Sequence, residues 1–376
     1  MLAAIPYLLG YRPVDCVVMV GVTSEGRLGP VAHVTLDDLR TADPGDLRLV
    51  ARRAADTGAC RAVVAVYTQG PVDASAGVRT DLASMLSALH EEIDDVETWL
   101  VTPDGFRGLD CLDPTCCPPA GHSCDQLETG PVSAAFVLSG RSVASTAAEA
   151  FQVPRAPSSA RGLAGRASRR WEQAGEAVTA DGAARRAWVH DGCAGWRQAL
   201  RHATTELALN ADDEDLMPPP APVPPATLGR LAAALADTEV RDSVLLSLVA
   251  DACEPAAADR GPSGAPSADD EDQAAEACAR MLDPRVAVVP DTSTTTAARM
   301  VLEATVAHAP RRLQAAPLTL LGLVAWWRGE GGLAAARTRE ALAIDADYRL
   351  AVLLSDILAA AVPPGWVRRS SADGVR

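Results

Sequence analysis

The first 150 residues alternate short apolar runs with amphipathic segments. The run at residues 62–67 is apolar at consecutive positions, which indicates a central strand covered on both faces. The turn at residues 24–29 lets the runs on either side of it pair as a hairpin. In all, four runs have the length and β-branched content of strands, and they lie at residues 16–22, 30–36, 62–67 and 97–102.

Two helix-compatible segments separate these runs, at residues 45–57 and 78–93. The second is the clearer, because its apolar side chains recur at the helical period and fall on one face. The order strand–strand–helix–strand–helix–strand predicts an α/β domain over residues 1–153, with a mixed sheet covered by helices.

The pattern changes after about residue 155, and only residues 286–289 leave a strand as an alternative. We therefore predict an all-helical C-terminal part. Its predicted helices cover residues 164–179, 183–209, 226–236, 240–253, 293–308, 313–328, 333–344 and 348–361.

Two segments interrupt the helical part. Residues 217–225 are rich in proline and predict an extended linker. Residues 254–275 combine acidic, proline and glycine residues, a composition typical of disorder. These boundaries divide the part into a helical segment, 154–216, and a helical domain, 226–365, that contains the disordered insert.

The end of the chain has the clearest helical pattern. Gly329 to Gly332 break one helix from the next, and Asp347 is a suitable N-cap for a third. The small residues and the tryptophans predict one tetratricopeptide-like hairpin followed by a further helix. Because a single unit cannot form a solenoid, we expect it to pack on its own domain and to offer a face to another protein.

Composition excludes several function classes. The net charge is −15, and the 34 basic residues are all arginine and are scattered among acids. This distribution argues against nucleic-acid binding, which normally needs a basic patch. The absence of lysine rules out a Walker A loop and a Schiff-base lysine.

The chain shows no sequence feature of a membrane protein. Pro6, Arg12 and Asp15 interrupt the apolar N-terminus before it reaches the roughly 20 apolar residues of a membrane span, so a cytoplasmic protein is predicted. In such a chain, nine cysteines favour free thiols or a metal site over a disulfide framework.

The segment CLDPTCCPPAGHSCD, residues 111–125, concentrates the candidate chemistry. Its spacings match no standard zinc finger, although a thiolate site for zinc is one alternative. The others are a structured loop with buried thiols, a redox or reactive-cysteine centre, and a disulfide that includes the vicinal form. The candidate donors are Cys111, Cys116, Cys117, His122 and Cys124.

The N-terminal stretch PYLLGYRP also has two interpretations. Arg12, with Asp15 close by, could bind an anionic ligand. Alternatively, Tyr7 to Leu9 end a short helix that Gly10 caps, and Pro13 leads the chain into the first strand.

Three landmarks occur in a defined order: IPYLLGYRPVDCVVMVGV, CLDPTCCPPAG and YRLAVLLSDILAAAVPP. Together they resemble the actinobacterial family catalogued as domain of unknown function 4192, over roughly residues 3–150 and 225–365. The resemblance implies a bacterial cytoplasmic protein of no established activity. Arg12 and the first three cysteines match the family pattern, whereas His122 and Cys124 lie outside it.

Two departures from that family are visible. Its members usually carry further residues before the first landmark, so an upstream start is expected. The second strand reads His33-Val34-Thr35-Leu36 where the family has a sequence like Arg-Val-Asp-Leu, so a role of that Arg and Asp would be lost here.

Two functions remain. The first is a non-enzymatic binding or interaction protein that meets a partner protein through its helical domain. The second is a metal-binding or cysteine-dependent redox or enzymatic protein centred on the Cys111–Cys124 loop.

Overall fold

A five-stranded mixed sheet forms the centre of the N-terminal part, in the order β2-β1-β3-β4-β5. The β1/β2, β1/β3 and β4/β5 pairs are antiparallel, and β3 and β4 are parallel. The predicted mixed sheet and the hairpin are confirmed, and β5 is an addition that the pattern did not predict. The strands are β1 Cys16–Thr23, β2 Leu28–Thr35, β3 Ala59–Tyr67, β4 Asp95–Thr102 and β5 Gly105–Gly108. The computed structural model describes residues 1–71, 75–178, 181–211, 223–249 and 268–368.

The central strand β3 is buried on both faces, as its continuous apolar run requires. Val64 and Val66 join the core on one face, and Val63 and Ala65 join the core on the other. Successive side chains of a strand point to opposite faces, so one short run supplies both cores.

Helices cover the two faces unequally. The face that carries Val64 and Val66 packs against three helices, α2, α3 and α4, whereas the opposite face is covered by residues 2–9 and by Leu127 of α5. The predicted helices 45–57 and 78–93 correspond to α3 and α4. The helices of this part are α1 Ile5–Leu9, α2 Leu36–Thr41, α3 Pro44–Asp56, α4 Ser75–His90, α5 Asp125–Glu128, α6 Pro131–Leu138 and α7 Ala147–Phe151.

The described residues after 151 form helices and no strand, which confirms the all-helical C-terminal part. Residues 286–289 have irregular backbone. Two apolar cores hold the helices together, and α14 lies almost wholly inside them, since twelve of its thirteen residues are buried. The helices are α8 Ser158–Ala177, α9 Gly182–Ala211, α10 Pro225–Ala234, α11 Thr238–Val249, α12 Ala268–Leu282, α13 Thr292–His308, α14 Ala315–Trp327, α15 Gly331–Leu342 and α16 Arg349–Ala359.

The last three helices, α14, α15 and α16, are consecutive, as predicted. Trp326 and Trp327 at the end of α14 are both buried. The indole N–H of Trp326 donates to the carbonyl of Val362, 2.9 Å away. The tetratricopeptide-like character of this unit stays a prediction.

The predicted interruptions are only partly described. Residues 268–275 begin α12, so the disordered insert predicted for 254–275 is wrong for its last eight residues, and residues 254–267 lie outside the described part. Of the linker predicted for 217–225, residues 217–222 also lie outside it, and Pro225 begins α10. None of the helices in the described ranges is both long enough and apolar enough to cross a bilayer.

Candidate metal centre

The cysteine-rich loop follows β5, the last strand of the sheet, and returns to it. The backbone N–H of Phe106 donates to the carbonyl of His122 at 2.9 Å, and the N–H of His122 donates to the carbonyl of Phe106 at 2.7 Å. A Cβ at Gly105 would lie 2.6 Å from the His122 carbonyl oxygen. Only glycine allows this close approach, so residues 109–121 form a loop closed by the backbone of β5.

Side chains of the sheet domain anchor the first turn of this loop. The guanidinium of Arg79, on α4, donates to the carbonyl of Leu109 and lies 3.8 Å from a carboxylate oxygen of Asp110. The hydroxyl of Thr98, on β4, donates to the same carboxylate. The anchor therefore reaches across two elements that are distant in sequence.

Asp113 orders the middle of the loop. Its carboxylate oxygen accepts the N–H and the hydroxyl of Thr115 at 2.8 and 2.7 Å, a turn typical of aspartate before proline. Its carbonyl accepts the N–H groups of Cys116 and Cys117 at 3.2 and 2.8 Å. The same carbonyl also accepts the thiol of Cys111 at 3.9 Å.

This frame brings together the thiols of Cys111, Cys116 and Cys117. Their sulfur atoms all lie within 4.8 Å of one another. Cys117 is buried, Cys111 is half-buried and Cys116 is exposed. Gly108 makes room for them, because a Cβ there would lie 3.3 Å from the Cys111 Cβ and 3.4 Å from the Cys117 Sγ.

The proximity of the thiols changes their acidity. A backbone hydrogen bond at Asp113, followed by those with the thiols of Cys117 and Cys116, lowers the pKa of Cys111 from its usual value. The hydrogen bond and negative charge of Cys111, and then those of Cys117, raise the pKa of Cys116 to about 11. Cys111 is thus more acidic than Cys116, and its negative charge opposes the ionisation of Cys116.

The three sulfurs have nearly the spacing of ligands in a zinc site. In a tetrahedron with Zn–S bonds of about 2.3 Å the sulfurs lie about 3.8 Å apart. Here no two of the sulfur atoms are more than 4.8 Å apart. This upper bound exceeds the separation in a zinc site by about 1 Å, and rotation of the cysteine side chains can close a gap of that size. Thiolates are also the ligands that soft and borderline ions such as zinc and monovalent copper prefer.

The remaining two sequence candidates lie apart from this group. His122 Nε2 makes a 2.7 Å hydrogen bond with the Cys116 carbonyl, and its ring packs on Phe106. The thiol of Cys124 donates to the Thr102 carbonyl at 3.3 Å, and burial raises its pKa. His122 and Cys124 thus hold the loop in place and are not brought together with the three thiols.

The other predicted candidates, Arg12 and Asp15, are each engaged within the sheet domain. Arg12 forms an exposed ion pair with Glu128 of α5 at 2.6 Å. Asp15 has a left-handed backbone with φ of 47°, and its carboxylate accepts the N–H of Gln69 at 3.2 Å. The predicted short helix and its glycine cap are confirmed, because α1 ends at Leu9 and Gly10 caps it with φ of 80°. Ligand binding by Arg12 and Asp15 stays a prediction.

Several residues that build the centre escaped the sequence interpretation. Arg79 and Thr98 are distant in sequence, and no local pattern connects them with the loop. The Asp113-Pro114-Thr115 turn does carry a signal, because aspartate before proline favours this geometry. Gly105 and Gly108 were uninformative in a chain with 28 glycines.

Comparison with protein families gives a match over most of the chain. A family model described as domain of unknown function (DUF4192) matches residues 1–260 and 255–365. No curated protein and no solved structure shows significant similarity to the chain.

Proposed function

The chain belongs to the DUF4192 family, and we propose that this member is a non-enzymatic metal-binding protein in which Cys111, Cys116 and Cys117 hold a zinc ion. The observation that carries the proposal is the convergence of three sulfur atoms within 4.8 Å. The three donors come from seven residues of one loop, and thiolate is a ligand type that zinc prefers.

The frame around the thiols supports this function. Asp113 positions the backbone of Cys116 and Cys117, and Arg79 fixes the loop at Leu109. A metal site benefits from ligands that are already oriented, and here hydrogen bonds of the backbone, of Asp113 and of Arg79 contribute that orientation.

A structural disulfide fits the arrangement less well. It would use two of the three sulfurs and leave the third beside them without a role. The buried position of Cys117 against Gly108 gives the group a fixed inner ligand, and a metal ion uses all three sulfurs. The other predicted properties, which are partner binding by the helical domain, a cytoplasmic location and an actinobacterial source, stay predictions.

Zinc content tests the proposal directly. The full chain is purified without oxygen, reconstituted with zinc and measured by elemental analysis and by X-ray absorption at the zinc edge. We expect about one equivalent of zinc, with about three sulfur neighbours at about 2.3 Å.

The three single variants Cys111→Ser, Cys116→Ser and Cys117→Ser should each weaken zinc binding by more than the roughly 10–100-fold that loss of an outer-shell partner causes. The matched controls are Cys124→Ser, in the same region but bonded to Thr102, and Cys60→Ser on β3. Circular dichroism checks that each variant is folded. Less than about 0.2 equivalents in the wild type, or equal loss in Cys124→Ser, refutes the proposal.

A further inference from the structure

The donor set at the cysteine loop is incomplete for zinc. Structural zinc is almost always bound by four protein ligands in a tetrahedron, whereas three protein ligands are typical of sites that keep one position for an outside molecule. Within the described ranges, the group comprises Cys111, Cys116 and Cys117 with no fourth cysteine, histidine or carboxylate. The two nearest candidates in sequence, His122 and Cys124, are hydrogen-bonded to carbonyl oxygens.

The three thiols differ in burial, so the site has an inner side and an outer side. Cys117 is buried at Gly108, a position that also adjoins the ring of Trp99, and therefore forms the inner side. Cys116 is exposed, and Leu112 beside Cys111 is 89% exposed. An ion that touches all three sulfurs has its remaining position on the outer side, where solvent and solutes reach it.

The loop also keeps its shape by means that do not involve an ion. Its hydrogen bonds run from Arg79 to Leu109, from Thr98 to Asp110 and within the Asp113 turn. A structural zinc site usually supplies the folding energy of its segment. Here the backbone and side-chain hydrogen bonds contribute that order, so we expect the fold to persist without the ion.

From these three observations we infer that the zinc site has an open fourth position, which takes a soft or borderline donor from outside the chain, a thiol sulfur or an imidazole nitrogen. This inference rests on the proposed zinc site and assigns it an exchangeable ion, that is, one whose removal leaves the chain folded. When a thiol binds, its sulfur forms a bond to zinc, a water molecule leaves, and the thiol proton passes to solvent. No electron is transferred, and the three cysteine–metal bonds remain.

The test uses the full chain loaded with cobalt(II), whose visible absorption reports its ligands. Imidazole and 2-mercaptoethanol are titrated separately, and metal content is measured again after gel filtration. We expect each probe to shift the cobalt absorption bands saturably with one equivalent of cobalt retained. A shift with only one probe identifies the donor class that the position accepts and still supports an open position.

Cobalt absorption, metal content and circular dichroism distinguish the possible outcomes. Cobalt bound with sulfur charge-transfer bands that neither probe alters would overturn the open position and leave the metal site standing. Failure of cobalt and zinc to bind would instead refute the proposed function. Unfolding of the metal-free chain, seen as lost helical circular dichroism, would contradict the exchangeable ion, and the Cys124→Ser variant should behave as the wild type in every arm.

Discussion

Polar groups of the helical part and thiols of the cysteine loop differ in the contacts that they make. In the helical part, the hydroxyls of Thr305, Thr319 and Thr338 are buried and donate to carbonyls one turn earlier in their helices at 2.7–2.8 Å. Arg337 is only 2% exposed, and one of its N–H groups reaches both carboxylate oxygens of Glu340 at 3.1 Å. The three hydroxyls and one N–H group of the guanidinium therefore have partners inside the fold, as most buried polar groups do, whereas the Nε of Arg337 has none among the described residues.

In the cysteine loop the backbone and the carboxylates make the stabilising contacts, and the sulfurs converge on one another near the surface. The polar groups of the helical part thus serve the packing of the fold, and the thiols of the loop are the groups available for chemistry. The threonine hydroxyls of the helical part bond within their own helices at 2.7–2.8 Å, whereas the thiol of Cys111 makes only a 3.9 Å contact with the Asp113 carbonyl. Substitutions in the two regions should therefore have different consequences for stability.

The largest effect on stability is expected where two helices touch through their backbones. Gly229 of α10 lies against Ala164 of α8 so closely that a Cβ would overlap the Ala164 backbone. Gly229→Ala should lower the free energy of unfolding by about 3 kcal/mol or more, because the helices must separate. Gly195→Ala in α9, where a Cβ meets open space, should raise it by up to about 1 kcal/mol. Urea denaturation measures both, and equal effects would show that α8 and α10 are not in backbone contact.

A smaller loss is expected from the buried arginine. Arg337→Ala removes a guanidinium that pairs with Glu340 and lies 3.9 Å from Glu303. Because both carboxylates are partly exposed, we expect a cost of about 2 kcal/mol, below the range of fully buried pairs. Arg339→Ala, on the exposed side of the same helix, should change stability by less than about 0.5 kcal/mol. A result in which the two variants are alike would remove Arg337 from the packing of α15.

The exposed thiols should matter least for stability. The double variant Cys111→Ser with Cys116→Ser should stay within about 0.5 kcal/mol of the metal-free wild type, since the Asp113 and Arg79 hydrogen bonds remain. Cys117→Ser, at the buried position, should cost about 1 kcal/mol. Thermal unfolding of the metal-free proteins gives both values. A large loss in the double variant would mean that the thiols themselves hold the loop.

The final prediction concerns the reactivity of two thiols and not the stability of the fold. In the metal-free protein, Cys111 should react with iodoacetamide faster than Cys116 at about pH 7.5, because the thiolate is the nucleophile. The pKa of Cys111 lies below its usual value and that of Cys116 is about 11. If exposure alone set the rates, Cys116 would react faster than Cys111, because Cys116 is the more exposed. Peptide mass spectrometry over time separates the two, and the Cys116 rate should rise as pH approaches 11.

Much of the fold follows from local pattern. The β1/β2 hairpin, the doubly covered β3 and the α3 and α4 helices match their predicted positions because apolar period and burial coincide there. β5 has four residues, two of them glycine, and therefore shows no alternation. α6 was missed although Pro131 at its start is a helix signal. The acidic residues at the beginning of α12 have the composition of a disordered segment, so the helix there was not foreseen.

The site could be predicted only to the level of its loop. The spacing of the residues in the loop indicated five candidate donors. Which of them come together depends on contacts with residues outside the loop. Phe106 pairs with His122, and Thr102 accepts from Cys124. The first contact fixes the backbone of His122, whose ring then bonds to the Cys116 carbonyl, and the second engages the Cys124 thiol. No local pattern of the loop encodes these contacts.

The pairing of His122 with Phe106 also has a consequence for the sheet as a whole. The outward N–H and C=O groups of a terminal strand are a template on which another chain can add a strand, the first step towards aggregation. At β5 the returning loop already takes up the outward groups of Phe106. The same fold-back that assembles the cysteines therefore blunts the β5 side of the sheet and helps to keep one molecule from adding to the next.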